Sequence, residues 1–169
     1  GLSRKHIRFL DLPFYELGRY RQFVLSSEDE AQVCGLLDEI RPHQIYVTGN
    51  RSDPSSVQAL GFEVVRMALM KAAQSDWLAD CRVWLYRSAG PEWGIHELDM
   101  GVPLSPDELA NKVKGIYQHL SQRNQTPVAG QAGEAWKQSE SADCEVARRY
   151  DALGLPEYEA IEGFQRYQA

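Results

Sequence analysis

Ile45-Tyr46-Val47-Thr48-Gly49-Asn50 is the stretch that decides the fold, because four strand-favouring residues stopped by glycine and asparagine lie between two runs of helical spacing. On its amino side, Ser27 with Glu30 three residues later forms a capping box. This opens a helix whose Val33, Leu36, Leu37 and Ile40 share one face and which Pro42 ends. On its carboxyl side, past Asp53-Pro54, a second helix is expected from about Val57 to Gln74, with Val57, Leu60, Val64 and Ala68 on its apolar face. Arg82 to Tyr86 is the next strand, and His6 to Leu10 is a short earlier one. The order β-α-β-α-β predicts a mainly parallel sheet in a three-layer α/β sandwich of Rossmann-like type, since a helical crossover returns the chain in the same direction.

Further along, Ser105-Pro106-Asp107-Glu108 combines an N-cap, a proline at the first helical position and a capping-box glutamate. It launches a helix with Leu109, Val113, Ile116, Tyr117 and Leu120 on the inner face. His96, Leu98 and Met100 alternate as a strand would place them. Arg123 to Gly133 is a polar loop, and a last helix runs from about Glu134 to Leu153, stopping at Gly154. Periodicity leaves Tyr158 to Tyr167 open between a closing strand and a short helix. A chain of 169 residues suits one hydrophobic core, so residues 1–169 are expected to form a single α/β domain.

Twenty-four acidic against eighteen basic residues give a net charge of -6, a field that opposes a nucleic-acid backbone. No apolar run approaches the roughly 20 residues of a membrane span, and the chain is expected to be cytoplasmic. Cys34, Cys81 and Cys144 are far apart and outside any CxxC spacing, which fits reduced thiols better than a disulfide framework or a thiolate zinc site. Neither a GxGxxG nor a GxxxxGK[ST] loop follows any strand, and no GxSxG elbow surrounds a serine. His6, His43, His96 and His119 lie on four separate segments without paired-ligand spacing.

In an open parallel sheet, ligands bind beyond the carboxyl ends of the strands. The loops there supply Asp11 after the first strand, Asn50, Arg51, Asp53, Ser55 and Ser56 after the second, and Arg87, Ser88, Glu92 and Trp93 after the third. Plain solvated turns would show the same polarity. His119 lies in the last turn of its helix, where the dipole favours an imidazolium that either reaches a cleft or simply caps the helix. Trp93, beside Pro91, either lines a pocket or packs.

Several segments resemble the PIG-L or LmbE-like deacetylases. They are His6 to Tyr15, Arg41 to Gly49, Cys81 to Arg87, His119-Leu120-Ser121-Gln122, Tyr150 to Leu155 and Glu157 to Ala160. The form they resemble most is the bacterial one associated with glucosamine-6-phosphate deaminase. Membership would imply a zinc-dependent enzyme that removes acetyl from N-acetylglucosamine-type sugars with a metal-activated water and a carboxylate base. The Ala-His-Pro-Asp-Asp-Glu motif that ends the family's first strand has no counterpart here. The family's Gly-Asp-x-x-Asp-Pro-His-x-x-His corresponds to Gly49-Asn50-Arg51-Ser52-Asp53-Pro54-Ser55-Ser56-Val57-Gln58, with both histidines and the first aspartate replaced.

The resemblance therefore implies a PIG-L-like domain lacking the family's N-terminal strand and helix, and no cofactor is expected where the family holds zinc. Gln58 stands at the degenerate metal-ligand position, and Asp53 and His119 are the candidates for any remaining chemistry. Asp11, Asn50, Asp53, Ser55, Arg87, Lys112, His119 and Gln122 are the substrate-binding candidates, for an amino sugar or sugar phosphate. The expected role is non-catalytic binding or structure; the alternative is an active deacetylase once a longer chain or partner supplies the missing motif. A lost central strand would leave an open edge or face, so a homodimer or a strand-donating partner is also expected.

Overall fold

The Ile45–Thr48 run lies in strand β1, Gln44–Thr48, which pairs in parallel with β2, Arg82–Tyr86, in a register running from Gln44 opposite Arg82 to Thr48 opposite Tyr86. The computed structural model describes residues 3–18, 24–49, 56–87, 93–118 and 135–168. The chain gathers into two compact units, Gly1–Tyr86 with Tyr167–Ala169, and Arg87–Arg166.

In the first unit a short helix α1, Pro13–Gly18, is followed by α2, Ser27–Ile40, then β1, α3 at Val57–Lys71, and β2. Helix α2 packs on α3, and α3 on β1. Val33 and Leu37, Val47, Ala59, Phe62, Val64, Ala68 and Leu69, and Val83, Trp84 and Leu85 are the buried apolar residues of these four elements. The buried face of α3 is broader than the predicted one: Ala59, Phe62 and Leu69 join Val64 and Ala68, while Val57 and Leu60 are only half-buried. Phe62 also meets the ring of Tyr167 edge to face, centroids 5.2 Å apart.

Two expectations about this unit are corrected. The predicted strand His6–Leu10 is a 3-10 turn at Arg4–His6 followed by irregular chain, with Phe9 85% exposed. A strand exists only by pairing its backbone with another, and alternation alone does not provide the partner. The segment is instead held by Arg8, whose two guanidinium nitrogens each donate to a Glu39 carboxylate oxygen at 2.7 Å. The capping box of α2 is Ser26 with Asp29, one residue earlier than Ser27 with Glu30. Asp29 is fully buried and also accepts the Phe14 backbone N–H at 2.9 Å, tying α1 to the start of α2, whereas Glu30 pairs with Lys71 at 3.3 Å. The helix ends at Arg41 in the left-handed region, φ 49°, because the following Pro42 disfavours a helical conformation there.

The second unit runs β3, Met100–Leu104; α4, Pro106–Tyr117; α5, Ala135–Ala152; and β4, Ala160–Tyr167, whose last residue belongs to the first unit. Strand β3 pairs antiparallel with β4, Met100 opposite Phe164 and Leu104 opposite Ala160. The fold is α/β with a four-stranded mixed sheet, so the mainly parallel sheet is corrected: β1 and β2 run parallel, while β3 and β4 run antiparallel. The direction follows the number of helices between the paired strands. One helix between β1 and β2 restores the direction, and two helices between β3 and β4 invert it. The strand suggested by His96, Leu98 and Met100 begins only at Met100, after a 3-10 turn at Ile95–Glu97.

Helix α4 starts as predicted: Ser105 accepts from the Glu108 N–H, and Glu108 accepts from the Ser105 N–H at 2.9 Å, with Pro106 at the first position. Helix α5 closes at Gly154, φ 78°, where the Leu155 N–H reaches back to the Tyr150 carbonyl. Val146, Ala147 and Ile161, with Leu98 and Tyr150 against them, form the core of this unit. Among the described residues no helix is long and apolar enough to cross a membrane.

Candidate functional site

The carboxyl ends of β1 and β2 are held level by the Gly49 N–H, which donates to the Tyr86 carbonyl at 2.8 Å. This is the edge at which the sequence places a ligand. Of the candidates there, Asn50, Asp53 and Ser55 lie outside the described residues, as do His119 and Gln122. Asp11 is exposed in a left-handed conformation, φ 46°, which aspartate tolerates in turns. Gln58 is exposed in the first turn of α3, two residues after Ser56, whose hydroxyl caps the helix by accepting from the Ala59 N–H at 3.2 Å.

Lys112 and Arg87 carry the geometry that can be described in full, both in the second unit. Lys112, on α4, directs its ammonium at two carboxylates: Nζ donates to Asp143 Oδ2 on α5 at 2.7 Å and to Glu162 Oε1 on β4 at 2.9 Å. Burial pulls the Lys112 pKa down, but the two hydrogen bonds and the attraction of both carboxylates outweigh it and hold the ammonium above its ordinary value. Asp143, whose side chain is 10% exposed, is pushed up by burial, against Lys112 and with the repulsion of Glu162. Three elements are thus fastened by one cation, which leaves Lys112 committed to its own chain. Asp143 and Glu162 were invisible to sequence reading because they lie 31 and 50 residues from Lys112, where no local spacing signals a contact.

Arg87 is the opposite case. It follows the last residue of β2, is half-buried, and rests on Trp93, with the guanidinium carbon 4.7 Å from the ring centroid. Trp93 is 5% exposed, so the platform is fixed. The Arg87 Nε is buried without a hydrogen-bond partner, and no carboxylate among the described residues forms an ion pair with it. A buried donor left unsatisfied costs about 1–3 kcal/mol, while the stacking returns about 0.5–2 kcal/mol. The Trp84 indole N–H on β2 is a second buried donor without an acceptor among the described residues.

Where residues of the resembling family's zinc motif are replaced, the replacements are uncharged. Gln58 is an exposed amide, a weak ligand for this metal, and Asn50 and Ser55 at the corresponding motif positions add no charge. Among the described residues no group of three or more His, Cys, Asp or Glu side chains could hold a metal ion.

No protein-family model matches the chain. Over 169 residues it is 43% identical to a Bacteroides thetaiotaomicron protein named "Putative glucosamine-6-phosphate deaminase-like protein", in an alignment covering 98% of this chain and 25% of that one. The chain thus spans a quarter of the length of the curated relative it matches. In structure it is similar to the crystal structure of GalB, the 4-carboxy-2-hydroxymuconate hydratase of Pseudomonas putida KT2440, with a TM-score of 0.58. The superposition covers 90% of this chain and 62% of GalB at 13% identity, a likeness of fold.

Proposed function

We propose that this chain is an amino-sugar-binding domain of PIG-L or LmbE-like type, without deacetylase activity of its own. The observation that carries the reading is the match of 98% of the chain, at 43% identity, to a protein whose name concerns glucosamine 6-phosphate. Two features support it. The loops at the carboxyl ends of the strands are rich in sugar-compatible donors and acceptors, among them Asp11, Asn50, Asp53 and Ser55. The positions that resemble a zinc motif offer neutral Asn50, Ser55 and Gln58, so the metal-activated water that deacetylation needs would be poorly held. Groups that act as a unit are not individually dispensable, and here several are substituted together.

Calorimetry and acetate detection on the purified chain test this reading. Glucosamine or glucosamine 6-phosphate is expected to bind, and N-acetylglucosamine 6-phosphate to release no acetate, with or without added zinc. Zinc-dependent acetate release that scales with protein and disappears in Asp53→Ala overturns the non-catalytic part; failure of every amino sugar to bind overturns the whole. The quarter-length coverage of the relative favours one further reading, in which a longer chain supplies the missing motif and restores deacetylation. Joining an Ala-His-Pro-Asp-Asp-Glu strand to this chain and finding acetate release would establish it.

A further inference from the structure

Among the described residues the other partly buried cations are matched: Lys112 by Asp143 and Glu162, Arg66 by Glu63, Arg149 by Glu145. Arg87 is not, although acidic residues outnumber basic ones by 24 to 18. Its Nε is buried without an acceptor, and the Trp93 ring at 4.7 Å occupies one side of the guanidinium. All five guanidinium N–H groups lie in its plane, so a ligand that satisfies them arrives edge-on, beside the aromatic platform rather than over it.

We propose that Arg87 is the phosphate-recognising group of this domain, and that its ligand is a phosphomonoester of an amino sugar rather than the uncharged sugar. The proposal rests on the sugar-binding reading above and names the ligand class. Two oxygens of a phosphomonoester match the fork formed by Nε–H and an adjacent Nη–H once the groups that cover the buried Nε shift aside, and the ester brings about 1.5 to 2 negative charges to a cation that has no counter-charge among the described residues. A sugar hydroxyl could accept from Nε but would leave the charge unmatched. A carboxylate also fits the fork, with a single charge.

The test measures binding of glucosamine 6-phosphate, glucosamine and glucuronate by calorimetry at low ionic strength, to the whole chain and to Arg87→Gln and Arg87→Lys, with folding of each checked by circular dichroism. The intact chain is expected to bind glucosamine 6-phosphate at least tenfold more tightly than glucosamine or glucuronate. Arg87→Gln should erase that preference. Arg87→Lys, which keeps the charge without the fork, should retain part of it and serves alone if the glutamine variant does not fold. Undiminished binding of the phosphate ester by a folded variant, or glucuronate bound as tightly, overturns the assignment. Glucosamine bound with no preference for its phosphate overturns it while leaving the sugar-binding reading standing; absence of binding by all three sugars ends both.

Discussion

Lys112 and Arg87 are both half-buried cations of the second unit, and the sequence marks both as substrate contacts, yet their surroundings differ in kind. Lys112 is held by carboxylates from two other elements, whereas Arg87 has an aromatic ring and a buried nitrogen without a partner. A cation that its own chain has already neutralised is part of the architecture. One left uncompensated, at a cost to stability, is where an external anion gains most. The charge of a side chain can be read from the sequence, but its availability depends on what folds against it.

The largest expected effect comes from breaking the paired member. Lys112→Met leaves Asp143 and Glu162 facing each other without a cation, and should cost about 3 kcal/mol, the lower end for a buried pair because these groups retain some solvent. The midpoint of urea unfolding measures it. A loss below about 0.5 kcal/mol would mean the contact behaves as an exposed one.

Gly163→Ala tests how firmly β4 is seated beside Glu162. A Cβ there would stand 2.9 Å from Leu98 Cδ2, so Leu98 must shift within the core of this unit, at about 1–2 kcal/mol. Thermal unfolding of a folded variant reads this, and an unchanged melting temperature would show that Leu98 has room to turn.

The pH dependence has a sign specific to each group. Asp143 is raised in the folded state, so its ionisation opposes folding. As pH falls from neutrality through that raised pKa toward the ordinary value of 3.8, this residue alone adds stability. Glu63, held below its ordinary value by Arg66, does the reverse and loses stability on acidification. Lys112, raised above its ordinary 10.5, contributes stability below that value that is lost as pH climbs through the folded pKa. Stability curves from pH 4 to 7 for the intact chain and Asp143→Asn should therefore converge or cross in favour of the intact chain toward acid. A gap that widens against it would reverse the assignment.

Arg87→Met should have the smallest effect on stability. Losing the contact with Trp93 and relieving the buried Nε nearly offset each other, for a net change within about 1 kcal/mol in either direction. A loss as large as that for Lys112→Met would make Arg87 a structural residue and erase the contrast between the two.

Local signals were legible wherever a structure closes on its own neighbours. Ser105 to Glu108 announces α4, Gly154 ends α5, and the runs at β1 and β2 are compact strands where the residues say so, because caps, turns and short apolar runs are decided within a few residues. At the candidate site, residue types beyond the strand ends were legible, including Arg87 and Trp93. What escaped depends on partners distant in sequence. His6 to Leu10 has strand-like alternation but found no strand to pair with, and the Ser26–Asp29 cap won over its neighbour because Phe14 also needed Asp29. Whether β3 and β4 run parallel depended on how many helices separate them, and whether Lys112 could meet a ligand depended on residues 31 and 50 positions away. The sequence by itself determined the helices that carry their own caps, the compact strands β1 and β2, and which polar groups follow them, since those come from short-range sterics and hydrogen bonding. Only the tertiary structure decided strand direction and which charges were already spent, because both are set by contacts that exist only once distant segments are packed together.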